Sequence, residues 1–367
     1  MKKKVCECHL SFHTAQNSKC AISNDFVRVL PDDFPQEKYR SRGPTESKTT
    51  IHFGQRKLHL SEVEFLNIVT SKLDVKKQKV VMIYAGAAPG VHTKLLSTMF
   101  PFVEFVLVDP NPFKIKNEPP YITIYNEYFT DEIAHRFRKE YADYIRLFVS
   151  DIRTGDPTTM TPEEVENRVD IDMEWQQDWH KIMEPMLSMF KFRLPYVGDD
   201  PKRKRTKDYL DGDIQLQIWA PQSSSETRLI VKGDAGMKTY DCVKYENQLF
   251  RFNIHERVMC YPHDIINIPG IDCCYDCRAE IHVHEEYKKA ISKINKLCEI
   301  NGITYKGQKI KLREKSVSDY ILELSKHVHA NVRDFRVVYK GTAYSIGFTK
   351  IRYGEVPADI LKKAKRL

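Results

Sequence analysis

A short glycine-containing turn and an acidic residue on the following strand are the first residues whose types and spacing suggest chemistry. The turn runs from Tyr84 to Gly90 (YAGAAPG) between an apolar run and a helical pattern, so its backbone can approach a ligand closely. Asp109 ends the next apolar run, 23 residues after Gly86, where doubly wound folds place the carboxylate that binds ribose hydroxyls. The turn is neither GxGxxG nor a phosphate-binding loop. The combination indicates S-adenosylmethionine, although a plain tight turn with an exposed aspartate has the same pattern.

Alternating strand and helix patterns must position this turn. Short apolar runs predict strands at Val80–Tyr84, Phe105–Val108 and Ile145–Val149. Helical patterns lie between them, at 92–99 and 131–141. Strands that alternate with helices form a parallel sheet with both faces covered. The sequence therefore predicts an α/β fold built on a doubly wound, mostly parallel sheet.

Further patterns flank these strands. A helix of about three turns is expected after Lys57, with Ser61 and Glu64 as its capping box. The remaining predictions are a long helical stretch from Pro162 to about Phe190, strands at Ile214–Trp219 and Leu229–Val231, and a helix at Glu285–Leu297.

Length and composition exclude several classes of protein. The 367 residues suffice for one large or two moderate domains, and 41% hydrophobic with 29% charged residues is typical of a soluble globular protein. No apolar run approaches the roughly 18 residues of a membrane-spanning helix, and no secretion signal is recognisable. We expect an N-terminal extension (1–50) that packs on the body, a central domain (51–300) and a basic C-terminal addition (301–367).

The net charge of +8 is unevenly distributed. Five cations occupy six positions from Lys202 to Lys207, and others cluster near the C-terminus at 362–366. Such groups fit phosphate contacts on a nucleic acid, and they fit a solvated surface equally well. A further group of this kind comprises Lys306, Lys309, Lys311, Arg313 and Lys315.

The nine cysteines do not predict a disulfide framework, because their number is odd and no secretion signal precedes them. Structural zinc sites usually pair two cysteine knuckles, and neither local group has a partner with clean spacing. Reduced thiols that pack as small apolar groups account for them better, so no metal site is predicted. The two groups are Cys6, Cys8, His9, His13 and Cys20, and Cys273, Cys274 and Cys277.

Five short motifs resemble segments of one known family, the poxvirus cap-specific mRNA 2′-O-methyltransferases, whose members also serve as the small subunit of the viral poly(A) polymerase. The resemblance runs from about residue 39 to about residue 300. A more distant resemblance joins the ribosomal-RNA 2′-O-methyltransferases, which share a Lys-Asp-Lys-Glu tetrad. The resemblance to the poxvirus family implies a sheet of the S-adenosylmethionine-dependent methyltransferase (Rossmann-like) type, with a methyltransferase domain and its cap-binding segments in 51–300. The motifs are Gly54-Gln55-Arg56-Lys57-Leu58, Gly86-Ala87-Ala88-Pro89-Gly90, Ser150-Asp151-Ile152-Arg153, Lys191-Phe192-Arg193 and Ser225-Glu226-Thr227-Arg228-Leu229.

The resemblance assigns the catalytic tetrad to Lys57, Asp151, Lys191 and Glu226. A ribose 2′-hydroxyl must lose its proton as the methyl group arrives, and a lysine can accept that proton only if burial or a neighbouring cation lowers its pKa. The resemblance implies that Lys191 is this base, that Lys57 is the neighbouring cation, and that the two carboxylates of the tetrad orient the lysines. No metal is required. Taken singly, each residue also fits an ordinary role, such as a surface lysine or a helix cap.

The resemblance also implies a set of cofactor contacts. The glycine turn and the acidic residue that were recognised from their own pattern belong to it, as does a segment along the adenine. The implied S-adenosylmethionine contacts are Gln55, Tyr84, Gly86, Ala88, Pro89, Gly90, Asp109, Tyr128, Phe129 and Asp151.

Recognition of an mRNA cap requires aromatic and acidic side chains. The 7-methylguanine ring is cationic and electron-poor, so two aromatic faces and a carboxylate recognise it best. The resemblance assigns one face to Tyr196 and the carboxylate to Glu246, while the position of the second aromatic is Ser223, so Tyr39 becomes the candidate for that face. Tyr196 also fits an ordinary half-buried core tyrosine. Further residues expected near the cap or the RNA are Arg153, Arg193, Lys202, Arg203, Lys204 and Arg205.

The implied function is conversion of cap-0 to cap-1 on capped mRNA by a protein of a large DNA virus. The expected location is the host cytoplasm or viral factory, without a membrane, and packaging in the virion is a further option. An RNA-binding processivity subunit of a viral poly(A) polymerase, with the catalytic subunit as partner, is an alternative or additional role. A methyltransferase of uncapped RNA is another alternative, which Tyr196 and Glu246 oppose and Ser223 leaves open. The glycine pattern disfavours a nicotinamide oxidoreductase.

Overall fold

The structure is a computed structural model, and it describes residues 23–40, 48–50, 54–115, 121–198, 203–220, 224–259, 261–263, 271, 273–328, 335–339, 342–346 and 365–366. The helices are α1 Gly54–Lys72, α2 Thr93–Met99, α3 Asp131–Glu140, α4 Pro162–Met183, α5 Cys242–Ile254, α6 Tyr275–Ile300 and α7 Val317–His327. The strands are β1 Lys48–Thr50, β2 Lys79–Ala85, β3 Val103–Val108, β4 Ile122–Tyr125, β5 Tyr144–Ser150, β6 Leu187–Phe192, β7 Thr206–Leu210, β8 Asp213–Gln215, β9 Thr227–Lys232, β10 Met237–Asp241, β11 Thr304–Tyr305, β12 Gln308–Lys309, β13 Phe335–Tyr339, β14 Thr342–Ile346 and β15 Lys365–Arg366.

A seven-stranded sheet forms the centre of the molecule, in the order β4-β3-β2-β5-β6-β9-β8. Neighbouring strands pair in parallel except for β9, which is antiparallel to both β6 and β8. The central strands are almost entirely buried and apolar, as strands covered by helices on both faces must be. This confirms the predicted α/β fold with a doubly wound, mostly parallel sheet of the methyltransferase type.

The first long helix begins earlier than its capping-box pattern predicts. α1 starts at Gly54, so the predicted capping box at Ser61 and Glu64 is wrong. Ser61 Oγ instead donates a hydrogen bond to the Lys57 carbonyl at 3.0 Å, within the helix. Glu64 accepts a hydrogen bond from Arg28 Nε at 2.9 Å. Lys57 therefore lies in the first turn of a longer helix rather than in the loop before it.

The stretch after Pro162 contains a helix and a strand. The prediction of helix to about Phe190 is wrong, since α4 ends at Met183, Glu184 adopts a left-handed conformation (φ 43°) and Pro185 follows. The run that continues from Leu187 is β6, and it is buried on both faces. A continuous apolar run has no periodicity, so its pattern does not distinguish a buried strand from a buried helix. The half-buried strand predicted from Ile214 to Trp219 is also shorter, since β8 ends at Gln215.

Segments from both ends of the chain lie against this body. Leu30 donates a backbone hydrogen bond to the Ile214 carbonyl at 2.8 Å, and Phe34 is buried. β1 pairs with β13 in an antiparallel arrangement. The apolar face of α7, with Ile321 and Leu324, belongs to the same buried core as the sheet. Among the described helices, none is both long and apolar enough to cross a membrane.

Candidate active site

The four predicted tetrad residues meet at the carboxyl edge of the parallel strands. Asp151 follows β5 directly, and Lys191 lies near the end of β6. Glu226 immediately precedes β9, which runs antiparallel and therefore begins at this same edge. Lys57 reaches the group from the first turn of α1. Each side chain is about 15 to 17% exposed, so the group is open to a ligand while largely withdrawn from water.

The two lysines are held unequally. Lys57 Nζ donates a hydrogen bond to Glu226 Oε1 at 2.8 Å. Lys191 Nζ lies 3.4 Å from Asp151 Oδ1 and 3.9 Å from Glu226 Oε2, distances that allow ion pairing but only weak hydrogen bonding. Lys191 is thus the lysine whose amine is more available to another group.

Arg228 is a member of the cluster that sequence reasoning missed. Its guanidinium is 2% exposed, and Nη1 lies 2.7 Å from Asp151 Oδ1 while Nη2 lies 3.8 Å from Glu226 Oε1. These contacts are ion pairs, and within the described part of the chain the guanidinium nitrogens of Arg228 form no hydrogen bond of good geometry. The signal was present in the sequence, because alternation along β9 puts Arg228 on the same face as Glu226.

The charges of the cluster shift one another. Burial lowers the pKa of Lys57, and the nearby Arg228 and Lys191 lower it further against the opposing effect of the carboxylates. Burial alone would raise the pKa of Asp151, but Arg228 and Lys191 reverse this and the net shift is downward. The three cations likewise hold the pKa of Glu226 well below its usual range, against its burial. Both carboxylates are therefore ionised at neutral pH, beside three basic side chains.

The glycine turn lies directly against this cluster. Gly86 has φ +81°, and a Cβ at this position would lie 3.0 Å from Ile152 N and 3.1 Å from the carbonyl carbon of Asp151. Only glycine permits that approach. Asp109 Oδ2 accepts the Ala88 N–H at 3.0 Å, and Oδ1 accepts the Asn111 N–H at 2.8 Å. Oδ1 also accepts the side-chain amide of Asn111 at 3.0 Å, so Oδ2 is the oxygen that retains acceptor capacity for a ribose hydroxyl.

The end of the turn is tied to the start of α1. Gln55 Oε1 lies 2.8 Å from His92 Nδ1, and the other ring nitrogen of His92 lies 2.9 Å from Glu62 Oε1. His92 is fully buried and immediately precedes α2. Gln55, predicted as a cofactor contact, thereby helps to hold the segment after Gly90.

The other predicted cofactor residues divide by exposure. Ala88 and Pro89 lie in the glycine turn. Tyr128 is 74% exposed and is free to cover a ligand. Phe129 is buried, and its ring centroid lies 4.8 Å from that of Trp179. The side chain of Tyr84 is 1% exposed within β2 and faces the protein interior, so a contact with a bound ligand would have to come from its backbone.

Beyond Lys191 the chain builds a second polar cluster around Glu166. Arg193 donates two hydrogen bonds to this carboxylate, at 2.9 and 3.0 Å, and the Tyr196 N–H donates a third at 2.8 Å. The Arg193 guanidinium lies 4.4 Å from the centroid of the Tyr196 ring. Ser225 Oγ donates to the Tyr196 hydroxyl at 2.7 Å. One face of Tyr196 is therefore covered by arginine, which leaves only the other for a ligand.

Glu246 and Tyr39 lie on or beside α5. Burial and repulsion from Glu166 raise the pKa of Glu246, while Arg193 opposes the rise. The Tyr39 N–H donates to the side chain of Asn247, the residue after Glu246, at 3.1 Å. Tyr39 is 51% exposed, so its ring offers a surface close to this helix. Ser223, the position where the family has an aromatic residue, lies outside the described residues.

The predicted RNA-contact arginines and lysines have different surroundings. Arg153 Nη1 lies 3.8 Å from Asp172 Oδ2, and burial together with the neighbouring Arg193 lowers the pKa of Arg153. Arg203 donates to the Tyr196 carbonyl at 2.8 Å. Lys204 and Arg205 are exposed, and Lys202 lies outside the described residues.

No described group of three or more His, Cys, Asp or Glu side chains is arranged to hold a metal ion. Cys274 and Cys277 are buried, whereas Cys273 is half-buried. The N-terminal cysteine and histidine group, residues 6–20, and the basic residues Lys362 and Lys363 lie outside the described part of the chain.

Two features define a protein of the methyltransferase fold class. One is the strand order, with one antiparallel strand beside β6, and the other is the charged cluster next to the glycine turn. The chain belongs to the family described as Poly A polymerase regulatory subunit, whose profile matches residues 31–298. This match confirms the resemblance recognised from the five motifs.

Similar proteins come from viruses. Two curated relatives are described as cap-specific mRNA (nucleoside-2′-O-)-methyltransferases, from the Lausanne and Uriarra strains of Myxoma virus. Each is 25% identical over 249 residues, which cover 63% of this chain and 70% of the relative. This similarity supports a methyltransferase role. A solved structure of bluetongue virus VP4, titled as a multifunctional RNA-capping production line, aligns with a TM-score of 0.36 and 12% identity over 72% of this chain and 45% of VP4.

Proposed function

We propose that the chain transfers a methyl group from S-adenosylmethionine to the 2′-hydroxyl of the first transcribed nucleotide of capped mRNA, converting cap-0 to cap-1. The observation that carries the proposal is the close approach of the glycine turn to the tetrad. The backbones of Gly86 and Asp151 are so near that even a Cβ would not fit between them. A ligand cradled by the turn would therefore lie close to Asp151, whose carboxylate is 3.4 Å from the amine of Lys191.

The chemistry needs an electrophile, a base and fixed positions. When bound, S-adenosylmethionine supplies an electrophilic methyl group on a sulfonium sulfur, and the new O–C bond forms as the S–C bond breaks. The amine of Lys191 accepts the proton of the 2′-hydroxyl and thereby becomes an ammonium. Asp151 and Glu226, at 3.4 and 3.9 Å, stabilise that ammonium. Lys57 adds positive charge that favours the developing alkoxide.

Recognition of the cap rests on the cluster around Glu166. The uncovered face of Tyr196 would stack on the 7-methylguanine, and Glu246 would accept hydrogen bonds from its Watson–Crick edge. Tyr39 is exposed, and its N–H donates a hydrogen bond to the side chain of Asn247, next to Glu246, so Tyr39 is the candidate for the second face. Arg153, near both Glu226 and Arg193, and Arg193, within the cluster, would contact the connecting phosphates, with Arg203, Lys204 and Arg205 as further contacts.

The family match favours a second role as the regulatory subunit of a viral poly(A) polymerase, with the catalytic subunit as partner. Both activities act on mRNA, and their expected location is the host cytoplasm or viral factory.

Methyl transfer to short capped and uncapped RNAs tests the proposal. Wild type, Lys191→Ala and the control Lys181→Ala, an exposed lysine on α4, would be compared, and the methyl position mapped by nuclease digestion and mass spectrometry. We expect 2′-O-methylation of the first nucleotide of capped RNA only, lost in Lys191→Ala and kept in the control. Transfer to uncapped RNA as well would contradict cap dependence. No transfer, with RNA still bound, would favour the binding-subunit role.

A further inference from the structure

A basic segment that neither proposed role uses follows α6, beyond residue 298, where the family match ends. β11 and β12 form a hairpin whose turn is made by Lys306 and Gly307, both with positive φ (50° and 76°). A segment without helix or strand follows, and its first residues are 310–313. The exposed side chains along it are here called the basic hairpin surface, which consists of Tyr305, Lys306, Lys309, Lys311 and Arg313.

This segment is fixed so that its cations face outward. Ile310 and Leu312 are half-buried, and they alternate with exposed basic residues. The side chain of Asn295, on α6, accepts the Leu312 N–H at 2.7 Å and donates to the Leu312 carbonyl at 2.9 Å. Docking of these two apolar residues leaves the cations on either side of them exposed to solvent.

The charge of this surface is not neutralised by its surroundings. The nearby carboxylates are already paired: Glu314 lies 3.0 Å from Lys288 and Glu323 lies 2.7 Å from Lys315. Among the described residues, no carboxylate forms an ion pair with any of the four cations of the basic hairpin surface. Four unneutralised charges on a short segment attract a polyanion.

An aromatic ring accompanies the charges. Tyr305 is 46% exposed at the hairpin, and Lys306 Nζ lies 5.5 Å from its ring centroid. An exposed ring beside a row of cations is the combination with which proteins bind single-stranded nucleic acid, by stacking a base and neutralising phosphates.

The surface lies far from the tetrad. Asn301, just before the hairpin, accepts the Gln78 N–H at 3.0 Å, next to the first residue of β2. The glycine turn and Asp151 lie at the other end of the same sheet. β2 has 7 residues, and at about 3.3 Å per residue it separates the two edges by roughly 20 Å. A nucleic acid bound at the hairpin is therefore not the nucleotide that the tetrad would methylate.

We propose that the basic hairpin surface binds single-stranded RNA, through its phosphates and one stacked base, as a contact separate from the methylation cleft. The proposal goes beyond the proposed function and does not require methyl transfer. At about 3.4 Å per stacked nucleotide, an RNA needs roughly six nucleotides to span the two edges. Short RNAs can therefore occupy one site but not both.

The test is binding of the full chain to labelled, uncapped single-stranded RNAs of about 30 and about 4 nucleotides, measured by fluorescence anisotropy between 50 and 200 mM salt. The variant is Lys309→Ala/Lys311→Ala/Arg313→Ala. The control, Lys139→Ala/Lys181→Ala/Lys232→Ala, removes the same charge from exposed positions elsewhere. Thermal unfolding checks that each protein folds, and Tyr305→Ala tests stacking separately.

We expect the variant to bind the long RNA about tenfold more weakly at low salt, with the slope of log affinity against log salt reduced by about 2, as loss of three phosphate contacts predicts. Tyr305→Ala should weaken binding at least about fivefold. An unchanged affinity in a folded variant would overturn the proposal, and so would an equal loss in the control. Since no methyl transfer is measured, failure of this proposal is separate from failure of the methyltransferase proposal.

Discussion

Arg228 lies directly opposite Lys191 across the β6–β9 pair. Two cations in such cross-strand positions repel each other unless carboxylates intervene. Asp151 does so, 2.7 Å from the guanidinium of Arg228 and 3.4 Å from the amine of Lys191. The cluster thus carries three basic and two acidic side chains whose charges depend on one another.

Loss of Arg228 should destabilise the protein strongly. Arg228→Met removes a buried cation and leaves Asp151 and Glu226 short of positive charge, which should lower the free energy of unfolding by about 3 kcal/mol or more. Urea unfolding measures the change. The control is Arg138→Met, which removes an exposed partner of Glu184 and should cost less than about 1 kcal/mol. Equal costs for the two variants would contradict the buried role.

Gly86→Ala should impair both stability and cofactor binding. The residue has φ +81° and its added Cβ would meet the Ile152 backbone at 3.0 Å. We expect a loss of at least about 1 to 2 kcal/mol in unfolding free energy, and weaker binding of S-adenosylmethionine by calorimetry. At Gly236 a Cβ has open space, so Gly236→Ala should change neither quantity. Unaltered ligand affinity in Gly86→Ala would count against the turn as the cofactor site.

Glu166→Gln should weaken recognition of capped RNA without affecting the cofactor. The carboxylate fixes Arg193 through two hydrogen bonds and Tyr196 through its N–H. Charge-assisted hydrogen bonds contribute about 1.5 to 3 kcal/mol, so we expect KM for capped RNA to rise about tenfold. Affinity for S-adenosylmethionine should stay constant. Glu163→Gln, an exposed change in the first turn of α4, is the matched control. A fall in kcat with constant KM would instead connect Glu166 to the chemical step.

Stability should fall as the solution becomes acidic. Burial lowers the pKa of His180 to about 4, and burial also lowers the pKa of His59 well below its usual value. Histidines of the unfolded chain titrate near pH 6.5, so below this pH the unfolded chain binds protons that the folded chain does not bind. The stabilisation is complete above about pH 6.5 and is lost as pH falls toward 4, by about 3 kcal/mol for His180 alone.

Denaturant unfolding between pH 7.5 and 5 measures this slope. His180→Asn retains a polar partner for Ser188, whose hydroxyl lies 2.8 Å from His180 Nδ1, and should flatten the slope. His135→Asn, at an exposed position on α3, should leave it unchanged. A slope identical in all three proteins would show that other groups govern the acid response.

Local patterns predicted the parts of the fold that depend on neighbours along the chain. The glycine turn, Asp109 and the central strands were recognisable because a buried parallel strand leaves a short apolar run, and a turn that approaches a ligand requires glycine. The same reasoning misjudged the region around Pro185, where the end of α4 and the start of β6 are both apolar. The predicted start of α1 was also too late, because Ser61 and Glu64 match a capping box, whereas Ser61 bonds to Lys57 within the helix and Glu64 bonds to Arg28 from a distant part of the chain.

The sequence by itself determined the fold class, the family and the residue types available for chemistry, since motifs in a set order carry that information. Only the tertiary structure decided which charges meet. Arg228 reaches Asp151 because β6 and β9 pair antiparallel at one edge of the sheet, a relation that no local spacing encodes. It likewise decided that Arg193 covers one face of Tyr196, and that the basic hairpin lies at the opposite edge from the tetrad. Distances between elements follow from how the strands are ordered and packed, not from the number of residues that separate them.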